Sequence, residues 1–134
     1  MTQEPSIEPI PRDAEEFASI VVDAAVKVHR VLGPGLLEGV YETCLEREFQ
    51  LRGTPFRSQV SVPVVYEGVK LETGFRVDLL IGERVVVELK AVEAMLPVHR
   101  YQLLTYLKLM KLRLGLLINF NVPHIRDGIK RVVL

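Results

Sequence analysis

The chain has 134 residues, nearly half of them hydrophobic and a quarter charged, which is typical of a single globular domain. Lys and Arg balance Asp and Glu at 17 each, so no overall positive charge indicates a nucleic-acid partner, although a local basic patch would suffice. The single cysteine, Cys44, excludes an internal disulfide and favours a reducing cytoplasm. We see no signal peptide and no apolar run long enough to span a bilayer, so we expect a cytoplasmic protein with no membrane partner.

The N-terminal part predicts a tail and then a helix. Residues 1–12 offer little to bury and are predicted to be a flexible tail, with a single domain over residues 13–134. Asp13 followed by Glu16 fits a capping box. The helix that follows has apolar residues at helical spacing, namely Phe17, Ile20, Val21, Ala24, Val28, Val31 and Leu32.

A second helix is predicted over residues 36–52, after the break at Gly33-Pro34-Gly35. Gly53 is suited to the position just past its end. The predicted inner stripe of this helix consists of Val40, Tyr41, Cys44 and Leu45. Cys44 is therefore interpreted as a small core residue.

The pattern then changes to strands. Residues 56–66 and 69–81 predict two strands around a turn at Glu67-Gly68, and residues 85–91 predict a third. The second strand is expected to place one set of apolar residues on a single face, namely Phe75, Val77, Leu79 and Ile81.

The last third returns to a helix and a buried strand. Pro97 suits a first helical position, and the helix should reach Lys111 with an inner stripe of Tyr101, Leu104, Leu107 and Met110. Residues 114–120, LGLLINF, read as a strand buried on both faces. The segment after Pro123 predicts a last helical turn or an edge strand. The order ααβββαβ predicts one mixed sheet with helices on both faces.

Three charged residues interrupt the apolar strands of VDLLIGERVVVELK. Strand alternation puts Glu88 and Lys90 on one face. A three-residue loop at 82–84 would pair Ile81 with Val85 and so bring Asp78 opposite Glu88. We predict this register because it buries four apolar residues together, namely Val77, Leu79, Val87 and Leu89.

Two facing carboxylates destabilise a sheet unless a positive charge lies between them. Lys90 is one candidate for that charge, and a divalent cation is the other, because Mg²⁺ is commonly held by one or two carboxylates and water. The alternative is a solvated face on which the acids pair with Lys90 and Arg76.

The spacing D-(x)9-E-x-K, on a hairpin followed by a helix, resembles the signature of the PD-(D/E)XK nuclease superfamily, with Val77 in place of the proline. Two further motifs strengthen the resemblance. Gly35, Glu38 and Tyr41 fit G-x-x-E-x-x-Y, the motif that names the GxxExxY protein family. Gln102 and Tyr106 fit the Q-x-x-x-Y motif of RecB-type nucleases.

The resemblance covers residues 14–134 and implies an αβββαβ restriction-endonuclease-like core with an extra N-terminal helix. It also implies that Mg²⁺ or Mn²⁺ is bound by Asp78, Glu88 and the backbone carbonyl of Leu89, with Glu38 reaching the metal directly or through water. Lys90 would help to activate the attacking water and stabilise charge on the phosphate.

Several of these residues have simpler alternatives. A carboxylate such as Glu38 near a helix start is favoured by the helix dipole alone. The resemblance gives Gln102 and Tyr106 contacts with nucleic acid or with the catalytic carboxylates, but Gln102 also fits a surface amide and Tyr106 a packed ring with a bonded hydroxyl. Glu42 is interpreted as solvated.

Basic residues gather late in the chain and either follow a phosphate backbone or form an ordinary helix surface. They are Arg100, Lys108, Lys111, Arg113, Arg126, Lys130 and Arg131.

The sequence therefore predicts a Mg²⁺-dependent nuclease acting on DNA, with RNA as the second choice. The alternative is a weak or inactive nuclease-fold protein that serves as a nucleic-acid-binding or assembly module. A neutral domain of this size has little surface with which to grip a duplex, so we expect a homo-oligomer or a partner that delivers the substrate.

Overall fold

The structure, a computed structural model, describes residues 8–72 and 74–134. Residues 1–7 of the predicted tail lie outside this range. The described helices are α1 (Arg12–Leu32), α2 (Glu38–Arg52), α3 (Pro97–Met110) and α4 (Ile125–Gly128). The described strands are β1 (Phe56–Ser61), β2 (Val64–Tyr66), β3 (Val69–Leu71), β4 (Arg76–Ile81), β5 (Val85–Lys90), β6 (Leu114–Asn119) and β7 (Ile129–Val133).

Five of the strands form one mixed sheet in the order β1-β4-β5-β6-β7. The central pair β5–β6 is parallel, and the other neighbours are antiparallel. The parallel pair is joined by α3, as a parallel connection requires a long crossover. The sheet, its flanking helices and the extra N-terminal helix confirm the predicted restriction-endonuclease-like core.

The sheet separates two apolar clusters. α1 and α2 cover one face, where Tyr41, Leu45 and Phe49 pack on alternate residues of β4, β5 and β6. α3 covers the other face through Leu103, Tyr106 and Leu107. β6 is buried along its whole length, as its continuous apolar run predicts. No helix of the described chain is long and apolar enough to cross a membrane.

The predicted start and last turn of α1 are wrong. The helix begins at Arg12, and Asp13 pairs with Arg84 at 2.9 Å instead of capping it. Val31 is 71% exposed because the buried stripe follows small residues, Ala14, Ala18, Val21, Ala24, Ala25 and Val28. These small side chains let the helix approach the sheet closely and turn Val31 away from it.

The predicted inner stripes of α2 and α3 are partly wrong. Val40 is exposed, and Cys44 is only partly buried against the core. Tyr101 is 62% exposed, whereas Leu103 and Tyr106 are buried. The prediction for α3 counted every third residue, and a stripe of that spacing drifts around a helix that has 3.6 residues per turn. The predicted ends hold, because Pro97 is the first residue of α3 and Gly53 is left-handed after α2.

Both long strands predicted before β5 are interrupted. Residues 56–66 break before Pro63, which lacks a backbone donor, and residues 69–81 break after β3. The outer parts, β2 and β3, form a separate two-stranded hairpin around the predicted turn at Glu67-Gly68. Phe75, at the base of this hairpin, is 52% exposed rather than buried.

The predicted grouping of Val77 with Leu79, Val87 and Leu89 is also wrong. Val77 packs on the α3 side, whereas the other three pack against α1 and α2. The alternation of β1 is disturbed opposite this point, because Gln59 has a φ of 51°. Regular pairing of β1 with β4 skips Gln59 and resumes at Val60.

The two ends of the described chain meet at the sheet. Arg113 donates hydrogen bonds to the carbonyl oxygens of Pro9 at 2.9 Å and Leu134 at 3.2 Å. After Pro123 the chain forms both of the predicted alternatives, the short helix α4 and the edge strand β7.

Replacing Gly128 by Ala should lower the free energy of unfolding by about 1–3 kcal/mol, because a methyl group there would overlap the backbone carbonyl oxygen of Asn119. Gly39→Ala is the matched control. It adds its methyl group to open space on a helix and should raise stability by up to about 1 kcal/mol. Urea unfolding measures both. A Gly128→Ala protein as stable as Gly39→Ala would contradict the close approach of α4 to β6.

Candidate active site

The β4–β5 hairpin has the register predicted from the sequence. Ile81 pairs with Val85, Leu80 with Val86 and Leu79 with Val87. The connecting loop is residues 82–84, and Gly82 and Glu83 both take left-handed backbone angles in it. This odd-length loop places Asp78 and Glu88 on neighbouring strands, directly after the last regular pair, Leu79 with Val87.

Beyond the pair Leu79–Val87, each of the two carboxylates accepts a backbone N–H of the opposite strand, in place of a carbonyl oxygen. The backbone N–H of Asp78 donates to Oε1 of Glu88 at 2.9 Å. The backbone N–H of Leu89 donates to Oδ2 of Asp78 at 2.8 Å. We call this arrangement the crossed carboxylate pair. It leaves each carboxylate with a second oxygen.

Burial dominates the electrostatics of Glu88, which is 7% exposed. Burial first, and then the charge of Asp78, raises the pKa of Glu88 to about 8. The N–H of Asp78 and the charge of Lys90 act in the opposite direction. A neutral, protonated Glu88 is therefore favoured near neutral pH in the protein alone.

Glu38 is the first residue of α2 and reaches the same place from the other side of the hairpin. Burial and then the charge of Asp78 raise the pKa of its carboxyl, while Lys90 lowers it. Both residues of the crossed pair thus have electrostatic contact with Glu38. Lys90, the last residue of β5, is half-buried beside them.

Tyr41 explains how the loop before α2 is held. It is fully buried and stacks on Phe120 with ring centroids 4.4 Å apart. Its hydroxyl donates to the carbonyl oxygen of Gly33 at 2.6 Å and accepts the N–H of Leu36 at 3.1 Å. The ring therefore fixes the turn through Gly35, which has a φ of 101°, and so fixes where Glu38 begins the helix.

The structure adds Glu42 and Gln59, which sequence reasoning missed. Glu42 was interpreted as solvated, but it is half-buried, and burial and then Asp78 raise the pKa of its carboxyl. The side chain of Gln59 donates to Glu42 at 2.9 Å. The available signal was the spacing, since Glu38 and Glu42 lie one helical turn apart.

Asn119 is a further missed residue. It is 3% exposed, pairs with Lys90 across the parallel strands, and its amide bonds both the N–H and the carbonyl of Val92. It therefore fixes the path of the chain directly after Lys90. A single amide within the apolar run LGLLINF was the signal.

Gln102 and Tyr106 lie on α3, above the α3 side of the sheet. Tyr106 is buried and its hydroxyl shares a hydrogen bond with exposed Gln102, which matches the packing alternative for Tyr106. Burial, and then the charges of Glu88 and Asp78, raise the pKa of Tyr106. Tyr106 is thus a neighbour of the crossed pair, and Gln102 is connected to the pair through Tyr106.

The donor chemistry of the site fits a hard divalent cation with few protein ligands. Within residues 8–72 and 74–134, no three His, Cys, Asp or Glu side chains form a ready-made metal cage. The free oxygens of Asp78 and Glu88 suit Mg²⁺, which keeps several waters and needs only one or two carboxylates. The side chain of Leu89 has no atom that could bind a metal, so only its backbone carbonyl could contribute.

Comparison with known proteins agrees with this geometry. The model of the PD-(D/E)XK nuclease superfamily matches residues 15–132. That range includes both carboxylates, Lys90, Glu38 and the pair on α3. No curated protein and no solved structure matches the chain at significant similarity.

Glu88→Gln should stabilise the protein in chelator, by an amount that grows as pH rises. Because its pKa is raised from 4.5 to about 8, folded Glu88 holds a proton that the unfolded chain releases between these values. Wild type therefore loses stability over that range, and the amide does not. The difference should be on the order of 3 kcal/mol at pH 7.5 and small at pH 5.

Urea unfolding of both proteins at several pH values in EDTA measures this difference. Glu93→Gln, a substitution of an exposed carboxylate in the next loop, is the control and should follow wild type. A Glu88→Gln profile parallel to that of wild type would show that Glu88 is not held in a buried, charge-disfavouring site.

Proposed function

The chain belongs to the PD-(D/E)XK nuclease superfamily, and on that premise we propose that it is a Mg²⁺-dependent nuclease, with DNA as the first substrate to test and RNA the second. The crossed carboxylate pair carries the proposal. Two acids forced together in a half-buried place are destabilising by themselves, and a bound cation would offset that cost.

In this proposal Asp78 and Glu88 hold the cation, assisted by the backbone of Leu89, and Glu38 supports it from α2. When bound, the cation supplies Lewis acidity to a phosphate oxygen and neutralises charge as the reaction proceeds. Mn²⁺ should substitute, because it also prefers oxygen ligands.

The remaining chemistry falls to side chains of the chain itself. The ammonium group of Lys90 would orient a water for attack on phosphorus and donate hydrogen bonds to the developing negative charge. In the hydrolysis the water oxygen would form a new bond to phosphorus, the bond from phosphorus to the leaving oxygen would break, and a proton released by the water would end on that leaving oxygen. Gln102, exposed beside Tyr106, would donate its amide hydrogens to a neighbouring phosphate.

Lys90→Ala should lower the rate of phosphodiester cleavage at least about 100-fold, because it removes the group that orients water and stabilises charge. Asp78→Asn should have an effect at least as large. The assay uses single-stranded, duplex and branched DNA and RNA with Mg²⁺ or Mn²⁺. Lys70→Ala, a substitution of an exposed lysine on the β2–β3 hairpin, is the control and should keep at least half of wild-type activity.

Cleavage that Lys90→Ala leaves unchanged would reject this catalytic role. Binding of nucleic acid with no cleavage in any metal would favour the alternative, a nuclease fold retained as a binding module.

Mg²⁺ or Mn²⁺ should raise the melting temperature of wild type, since a ligand that binds only the folded state stabilises it. Asp78→Asn with Glu88→Gln should abolish the rise, while Glu93→Gln should retain it. Thermal melting with and without 10 mM metal, on the order of ten times the expected dissociation constant, measures the shift. An equal rise in wild type and the double variant would place the metal elsewhere.

A further inference from the structure

Exposed aromatic side chains lie beside the candidate active site. The chain has five Phe and four Tyr, all within the residues that the structure describes, and of these nine only Tyr66, Phe75 and Tyr101 are exposed. Phe75 contacts Tyr106, with ring centroids 6.5 Å apart. Tyr101 directly precedes Gln102, which bonds the hydroxyl of Tyr106. Phe75 therefore lies directly against the Gln102–Tyr106 pair, and Tyr101 lies on the same helix one residue before it.

The start of α3 extends this apolar surface. Leu96 and Val98 are both more than half exposed, as is Tyr101. Four residues of one helix start and one hairpin base thus offer flat or apolar surface on the side of Tyr106. We call Leu96, Val98, Tyr101 and Phe75 the aromatic shelf.

Cations share the α3 side with the aromatic shelf. Residues 94–134 contain seven Lys and Arg but a single acid, Asp127, although the whole chain is neutral. Arg100, Lys108 and Lys111 are exposed along α3. Lys130 pairs with Leu117, which packs against α3, so Lys130 projects on the same side of the sheet.

The other cation of β7 is directed differently. Arg131 pairs with Leu116, whose side chain packs in the opposite cluster, and it forms a salt bridge with Glu15 of α1. The exposed cations of α3 and its C-terminal end, together with Lys130 of β7, therefore lie on one side of the sheet, whereas Arg131 is paired on the α1 side.

Glu88 of the crossed carboxylate pair projects to this same side. Glu88 lies beside Leu117 in the parallel pairing and alternates with Val87, so its side chain projects with those of Val86 and Leu117. Besides burial, the charges of both Glu88 and Asp78 raise the pKa of Tyr106. Glu88, these cations and the exposed rings thus share one side of the sheet.

We propose that the substrate is an unpaired nucleic-acid strand, whose phosphates follow the cations of α3 and β7 and whose bases stack on Tyr101 and Phe75. This inference rests on the proposed nuclease function and adds its substrate class. Base faces are free for stacking only in an unpaired strand, since a duplex buries them between neighbouring pairs. Stacking on aromatic rings is the usual way in which proteins hold single strands without reading sequence.

Fluorescence anisotropy with the full chain in EDTA tests the proposal without cleavage. The probes are labelled 12-nucleotide DNA and RNA strands of one sequence and the corresponding DNA duplex. Wild type should bind at least one single strand about tenfold or more tightly than the duplex. The DNA and RNA strands together show which sugar is preferred.

Tyr101→Ala and Phe75→Ala should each weaken single-strand binding about tenfold, while Tyr101→Phe, which keeps the ring, should bind as wild type does. Leu51→Ala, an equally exposed apolar truncation on α2, is the matched control and should change nothing. Lys108→Ala should lower the slope of log affinity against log salt by about 0.7. Arg47→Ala, a substitution of an exposed cation on α2, should leave that slope unchanged.

Equal affinity for strand and duplex, an unchanged affinity of Tyr101→Ala, or no binding of any probe overturns the proposal. Melting temperatures of the variants separate misfolding from lost stacking, and Tyr101→Phe decides the matter where Tyr101→Ala fails to fold. If Lys90→Ala abolishes cleavage but Tyr101→Ala and Phe75→Ala leave strand binding unchanged, only the proposed single-strand substrate is rejected. If the strand binds and the Tyr101 and Phe75 variants weaken that binding, but no cleavage occurs, only the proposed nuclease activity is rejected.

Discussion

Two carboxylates of neighbouring strands, Asp78 and Glu88, each accept a backbone N–H from the opposite strand, and the site depends on this crossed exchange. Burial and mutual repulsion both oppose charge at Glu88. The acids stay together because two directed backbone donors hold them where ladder bonds would otherwise form. The three apolar pairs behind them keep the strands in register. The sheet thus supports an arrangement that is unfavourable in isolation.

The packing of α2 on the sheet adds the remaining acids to this pair. Tyr41 ties the loop after α1 to the start of α2 and stacks on Phe120, so the position of Glu38 follows from the core rather than from a surface contact. Gln59 occupies a left-handed position where β1 passes Asp78, and its bond to Glu42 places a fourth carboxylate nearby. The strained, left-handed backbone of β1 at Gln59 therefore lies next to the acidic cluster.

Sequence reasoning could predict the parts of the fold that short-range rules determine. The loop at 82–84, the start of α3 at Pro97 and the buried strand β6 each follow from turn length, proline geometry or an unbroken apolar run. Sequence reasoning also places Asp78 opposite Glu88, because the length of the loop determines the register of β4 and β5. Glu38, Lys90, Gln102 and Tyr106 follow from the family resemblance, and the structure places Glu38, Lys90 and Tyr106 beside that pair, with Gln102 bonded to Tyr106.

The errors arise where long-range packing overrides a local pattern. An inner helix stripe was assigned to Tyr101 because apolar residues recur every third position, but α3 turns Leu103 and Tyr106 inward instead. The apolar alternation of residues 69–81 suggested one strand, yet Val77 and Leu79 face opposite clusters. Glu42 and Gln59 could not be placed, since only the tertiary path of β1 brings them beside Asp78.

The zero net charge of the chain argued against a nucleic-acid partner when it was considered as a sum. The fold changes that argument, because it separates charges by layer. The acidic first 93 residues supply α1 and α2, and the basic last 41 supply α3 and β7. Charges more than about 10 Å apart are largely screened at physiological salt, so a strand at α3 meets mainly the local cations. Net charge is therefore a weak criterion for a protein whose sheet divides its charges between two faces.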